Sequence, residues 1–267
     1  MKRIRLLSLL LLLALFLPSV VTTAASYSFR IPQTTVDVFW NADGTMSIGY
    51  VWVFNNDAGA SPIDFVDVGL PNPNFDMGAI EADVDGKPIT NIESSPYVTY
   101  GVALGLEGNA IPPGQTGTVK AFFPVVQAQL SPDDQTEGYV SAVFSPNYFD
   151  SQFARGDTDV KVIFHLPPGV QTDEPRWHSA PSGFPDTPES ALDDQERIVY
   201  IWENTSASPS KEYVFGASFP AQYVDASAVV RPGTTTSETT QPSTSSPLDA
   251  GTTFFGFLGS CISFLPT

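Results

Sequence analysis

Between Thr34 and Phe54 two runs of alternating apolar residues, Thr-Thr-Val-Asp-Val-Phe-Trp and Thr-Met-Ser-Ile-Gly-Tyr-Val-Trp-Val-Phe, flank Asn41-Ala42-Asp43-Gly44. Asn-x-Asp-Gly between such runs predicts a type I turn with Gly44 in the positive-φ position of a bulge. The register follows from the turn. With Asn41 facing Thr45, Trp40 lies opposite Met46, Val38 opposite Ile48 and Val36 opposite Tyr50, so the large apolar side chains share one face. Trp52 and Phe54 extend that stripe. A lone hairpin is marginal in water, so this pair requires a larger sheet and a second layer to cover the stripe.

The rest of the chain supplies strands with turn signals between them. Tyr27 to Pro32 reads as an edge strand, and 62–70, 97–106, 116–126, 138–144, 157–166, 197–203 and 212–219 as further strands. In 78–86, Ile80, Ala82 and Val84 alternate with Glu81, Asp83 and Asp85, a half-buried strand ending at an Asp85-Gly86 turn. Pro112-Pro113-Gly114 and Pro167-Pro168-Gly169 punctuate strand ends, since proline removes a ladder donor. Residues 171–196, rich in Pro, Asp and Ser, read as a long surface loop. The fold class expected is all-β: an antiparallel, immunoglobulin-like β-sandwich of about ten to eleven strands without the antibody cysteine pair. One large sandwich is preferred to two small ones because no linker-like tract interrupts 27–225.

Both ends differ from this middle. Lys2, Arg3 and Arg5 precede the apolar run Leu6 to Leu17, and Thr23-Ala24-Ala25 suits cleavage, so 1–25 reads as a secretory signal peptide. Residues 231–253 are Ser, Thr, Pro and Gly with few apolar side chains, the composition of a disordered stalk. Residues 254–267 are apolar and uncharged but shorter than a span, which fits the start of a truncated transmembrane helix. A carboxyl-terminal glycolipid-anchor signal is the other reading of that pattern. The expected location is therefore the cell surface, with an exported β domain of 26–230 tethered to the membrane through its C-terminal segment.

Charge and composition narrow the chemistry. The chain carries 12 basic and 29 acidic residues, a formal −17 that becomes more negative once Lys2, Arg3 and Arg5 are removed. Such a surface repels phosphate, so nucleic acid is not an expected partner. Cys261, the single cysteine, leaves the middle of the chain without an internal disulfide. Glu81-x-Asp83-x-Asp85-Gly86 opens like an EF-hand loop, but Ile92 stands where the twelfth-position Glu belongs and Pro88 intrudes. No cofactor or metal is expected, with weak Ca2+ binding by Asp133-Asp134 or Asp193-Asp194 left open. His165, in an alternating strand, reads as a solvent-facing or edge residue, and His178 follows Trp177 in the long loop. No His/Cys cluster supplies zinc ligands. Gly216-Ala217-Ser218-Phe219-Pro220 lacks the second glycine of a nucleophile elbow and a following helix, so no catalytic residue is assigned. Trp40, Trp52 and Trp202 read as core. Tyr148, Phe149 and Trp177, in loops, are the aromatics that could contact a ligand such as a sugar ring. Asn204-Thr205-Ser206 is a glycosylation sequon.

Ile31-Pro32, Val36-Asp37-Val38, Asp43-Gly44-Thr45-Met46-Ser47-Ile48 and His165-Leu166-Pro167-Pro168-Gly169, in this order after an exported start, resemble the amino-terminal extracellular domain of a domain-of-unknown-function family of predicted bacterial membrane proteins. The resemblance covers about 27–230 and rests on strand and turn punctuation. It implies a β-sandwich ectodomain ahead of transmembrane helices and a cytoplasmic region, neither of which is present in this sequence, and it carries over no catalytic residues. Two functions follow as expectations: a non-catalytic surface ectodomain binding an unknown protein or glycan ligand, or a secreted carbohydrate-binding or glycosidase-associated protein.

Overall fold

The computed structural model describes residues 26–230. The signal peptide, the stalk and the apolar terminus expected from the sequence lie outside them. The hairpin forms as the sequence dictates. β1 (Phe29–Trp40) pairs antiparallel with β2 (Met46–Asn56), with Trp40 opposite Met46, Val38 opposite Ile48 and Val36 opposite Tyr50. The turn closes through Asn41 N–H to Thr45 O and Gly44 N–H to Asn41 O, each at 2.9 Å. Gly44 has φ +78°, and a Cβ there would lie 2.2 Å from the Ala228 Cβ, so both its dihedral and its neighbour require glycine.

Thirteen further strands follow: β3 (Phe65–Gly69), β4 (Glu81–Val84), β5 (Lys87–Pro88), β6 (Asn91–Ser94), β7 (Gly101–Gly105), β8 (Thr116–Val126), β9 (Leu130–Pro132), β10 (Tyr139–Phe144), β11 (Thr158–His165), β12 (Arg176–Trp177), β13 (Glu189–Leu192), β14 (Ile198–Ala207) and β15 (Phe215–Pro220). Among the described residues there is no α-helix, only four three-residue 3₁₀ turns, and no helix is long and apolar enough to cross a membrane. The strands form three sheets, ordered β13-β14-β11-β1-β2-β8-β4-β5, β12-β15-β10-β9 and β3-β7-β6.

The all-β class stands, with several corrections to its detail. Fifteen strands replace ten or eleven because β5, β9 and β12 carry too few residues to show a period of two, and β6 and β13, four residues each, do not alternate in burial. Two of them lie inside 171–196, which is therefore not simply a loop. Tyr27 to Pro32 is no edge strand. From Phe29 it belongs to β1, paired with β2 on one side and bridged to Ala154 on the other, and the register with β2 shifts between Arg30 and Gln33, where Pro32 has no N–H to give. The sheet is also not wholly antiparallel, since β1 runs parallel to β11 from Gln33↔Asp159 to Phe39↔His165.

One face of the large sheet is the core. Val36, Val38, Trp40, Ile48, Trp52 and Trp202 are each 0% exposed. A line of ring contacts runs from Trp40 to Phe164 (5.7 Å), to Trp202 (5.3 Å) and to Phe215 (5.4 Å), so it leaves the large sheet at β14 and enters the four-stranded sheet at β15. Phe149 fills the other end, against Phe29, Phe54 and Trp52. Both smaller sheets contribute to the same buried cluster, through residues such as Val66 and Leu104 on one and Ala142 and Phe219 on the other.

Candidate functional site

The opposite face of the large sheet carries the chemistry. Alternation places Asp37, Gly49, Phe122 and Glu81 outward, and the ladder aligns them in one transverse row: Asp37↔Gly49, Gly49↔Phe122 and Phe122↔Glu81. The next row is Thr35, Val51, Lys120 and Asp83. The β4–β5 turn, with Asp85 at φ +51° and Gly86 at φ +76°, lifts Gly86, Pro88 and Ile89 into a wall. Together these bound an open groove of about 690 Å³. Gly49 has no side chain to fill it. A Cβ there would meet the Asp37 Cβ at 3.7 Å and the Phe122 Cδ2 at 3.9 Å, so the ring leans over the glycine while remaining 39% exposed.

Asp37 is fixed from the far side. His165 Nε2 lies 3.0 Å from Asp37 Oδ1 and Nδ1 lies 2.9 Å from Asp193 Oδ2. Both contacts are hydrogen bonds only when both ring nitrogens carry protons. Arg197 Nε donates to Asp193 Oδ2 at 2.7 Å, and the backbone N–H groups of Gln195 and Arg197 donate to Asp193 Oδ1. Burial pushes the Asp193 carboxyl up, but the His165, Arg197 and Gln195 donors outweigh it and hold the group at about 2. Phe39 stacks on His165 at 4.1 Å, and the Arg197 guanidinium sits 5.0 Å above the Phe39 ring. The series Arg197, Asp193, His165, Asp37 is continuous and ends at a carboxylate whose side chain is still 34% exposed, on the groove. His165 is thus not a solvent-facing residue. It is 9% exposed, because the β13–β14 turn folds over it.

A second polar cluster occupies the outer side of the four-stranded sheet. His178 Nε2 is 2.7 Å from Ser218 Oγ, and Ser218 donates to Asp133. Its composition is that of a hydrolytic triad, but its order is different. Burial pushes the Asp133 carboxyl up, while Ser218 and the N–H groups of Thr136 and Gln135 more than reverse this and keep it ionised. The single hydroxyl proton of Ser218 therefore goes to Asp133, and His178 is the donor to Ser218 rather than a base drawing its proton. The imidazole lies over Gly216, where a Cβ would come within 2.2 Å of Nδ1. The cluster fastens β12 and the β9–β10 connection onto β15.

Among the described residues no group of three or more His, Cys, Asp or Glu side chains converges as a metal site. Asp133 and Asp193, from the two acidic loop pairs, are engaged as described. Asp67 on β3 is 0% exposed; burial pushes its carboxyl up, with the Ser95 hydroxyl opposing.

Of the aromatics singled out as ligand contacts, Tyr148 and Phe149 adjoin one small cavity and Trp177 stands on β12. Phe149 is 3% exposed and belongs to the core, since the chain after Pro146 turns inward and Asn147 N–H reaches the Tyr50 hydroxyl at 3.1 Å. Tyr148 is half-buried in the same segment. Trp177 is 43% exposed and meets Tyr200 edge-on at 5.7 Å. The sequence reading missed Asp37, Gly49, Glu81, Phe122 and His165 as a group. Its available signals were Phe122-Phe123, one of which must face outward in a strand, and a glycine in the middle of β2.

No protein-family model and no curated protein matches this sequence. Among solved structures the chain is similar to an M1 zinc metallopeptidase from Deinococcus radiodurans, at 10% identity and a TM-score of 0.43, over 76% of this chain and 44% of that one. It is also similar to the folded domain of LppM from Mycobacterium tuberculosis, at 11% identity and a TM-score of 0.32, over 79% of this chain and 98% of that one. Against the aminopeptidase A of Legionella pneumophila the identity is 8% and the TM-score 0.39, over 73% and 22%. The chain thus spans less than half the length of the peptidases. Likenesses at this level carry no argument about activity.

Proposed function

We propose that residues 26–230 are an immunoglobulin-like β-sandwich ectodomain that binds a ligand on the outer face of its large sheet and performs no catalysis. In this reading 1–25 directs export, 231–253 is a stalk, and 254–267 begins the membrane attachment that holds the domain at the cell surface. The observation that carries the binding assignment is the groove over Gly49 with Asp37 held at its edge by His165. A concave surface with a few oriented polar groups and an exposed ring is the usual form of a binding site. The cover that the two smaller sheets give the large one supports the sandwich, and the donor order of His178, Ser218 and Asp133 supports a structural use of that cluster. The sequence resemblance to ectodomains of predicted bacterial membrane proteins points the same way.

The test combines location with binding. In a bacterial host the full chain should be labelled on intact cells by a membrane-impermeant amine reagent. On a mixed array of glycans and peptides it should be retained at positions that lose signal on the order of tenfold in the Asp37→Asn or Phe122→Ala protein. Absence of surface labelling would overturn the location. Retention unchanged in both variants, or release of products from an arrayed glycan or peptide, would overturn the binding assignment.

A further inference from the structure

We propose that the groove takes an oligosaccharide bearing protonated amino groups, seated on the Phe122 ring between Asp37 and Glu81. This rests on the binding assignment above and names the ligand class.

The row Asp37, Gly49, Phe122, Glu81 crosses four adjacent strands, a length of roughly 14 Å at about 4.8 Å per strand. That suits several linked sugar rings better than one. Its centre is an aromatic ring leaning over a residue without a side chain, an apolar platform open on its outer side. Its ends are carboxylates, with no base in the row. Lys120 and Asp83, opposite one another in the neighbouring row of the ladder, also line the groove, so its ionisable lining is three acidic side chains, Asp37, Glu81 and Asp83, and one basic one. Acidic side chains thus outnumber basic ones around the platform, within a chain of formal charge −17.

These features exclude most alternatives. An anionic ligand meets repulsion from the row and from the whole surface. A neutral apolar ligand would cover two carboxylates without pairing them, a desolvation cost with no return. An ammonium group answers both carboxylates and also favours the face of an aromatic ring. A cationic peptide in extended form binds best by adding a strand to an exposed sheet edge. The edge at this groove is β5, two residues long, with Pro88 lacking the N–H such pairing needs. The backbone of β2 is committed on both sides, to β1 and to β8. Recognition must therefore come from side chains reaching above a pleated face. Carboxylates that accept from hydroxyl and ammonium groups beside an aryl platform match an amino sugar. Because His165 fixes Asp37 before any ligand arrives, less ordering is required on binding.

Calorimetry of the full chain with three probes tests this: a fully deacetylated chitosan hexamer, the N-acetylated chitin hexamer, and hexalysine. The expected result is binding of the chitosan hexamer on the order of tenfold tighter than either other probe, weakening with added salt. Asp37→Asn and Glu81→Gln should each reduce it by about tenfold, with far-ultraviolet circular dichroism showing the fold retained. Equal binding of chitin would remove the ammonium from the proposal, and equal binding of hexalysine would remove the sugar. Either overturns this inference and leaves the binding assignment intact. Chitosan binding unaltered by both substitutions, or no binding of any probe, also overturns it. A simultaneous lack of groove-dependent retention on the mixed array is the separate result that overturns the binding assignment.

Discussion

Gly49 shows how one missing side chain can matter more than those present. Glycine in the middle of a strand costs about 0.5–1 kcal/mol relative to alanine, because the unfolded chain loses more freedom and no cross-strand contact is gained. Here the added Cβ would meet Asp37 and Phe122 at 3.7 and 3.9 Å, ordinary contact distances, so steric need does not account for the glycine. Gly49→Ala is therefore expected to stabilise the fold by about 0.5–1 kcal/mol and to weaken any ligand held in the groove, measured by denaturant melts and by the same calorimetry. A loss of stability would mean that the position serves packing instead. Gly216 is the opposite case: its Cβ would collide with His178 at 2.2 Å, so that glycine is a packing requirement.

Among the elements, the β1–β2 hairpin was legible because a turn with one dominant geometry sits between two strands whose periods agree. Its tryptophan faces were legible for the same reason. Trp52 is 0% exposed, stacked on Tyr50 at 4.3 Å and edge-on to Phe149 at 6.3 Å. Trp52→Ala is expected to cost about 3–5 kcal/mol in denaturant melts, and a loss near 1 kcal/mol would show that the site collapses around the smaller side chain. Partner choice beyond neighbouring strands was not legible. Nothing in Thr34 to Phe39 distinguishes a parallel neighbour from an antiparallel one, so β11 beside β1 could be learned only from the fold. The outward row Asp37, Gly49, Phe122, Glu81 was hidden for a related reason. Its four residues come from four strands, and each alone reads as an ordinary outward position. His165 looked exposed because the turn that covers it, bringing Asp193 and Arg197, is sequence-distant and lies in a stretch rich in loop-forming residues.

On the scale of the whole molecule, acid should act through opposing groups. The surface carries excess negative charge, so mild acidification relieves self-repulsion. The Asp193 carboxyl is depressed from 3.8 to about 2, so the stability it contributes is fully present above the unfolded value and lost as pH falls from 3.8 toward about 2. Asp67, pushed upward, contributes with the reverse sign, favouring the fold where it is protonated and losing that contribution as pH rises through its folded value. Acid titration followed by circular dichroism should show a steep loss in the Asp193 window, made shallower in Asp193→Asn. An identical profile in the two proteins would show that the Arg197 to Asp37 series does not control acid stability.

The side-by-side alignment of β1 with β11 also has a consequence in time. During synthesis the first long strand emerges early and finds β2 at once, yet its other flank stays bare until Thr158 to His165 has been made. Contacts between such distant stretches form slowly, so the nascent chain must wait, half built and still pliable, for most of its length to arrive.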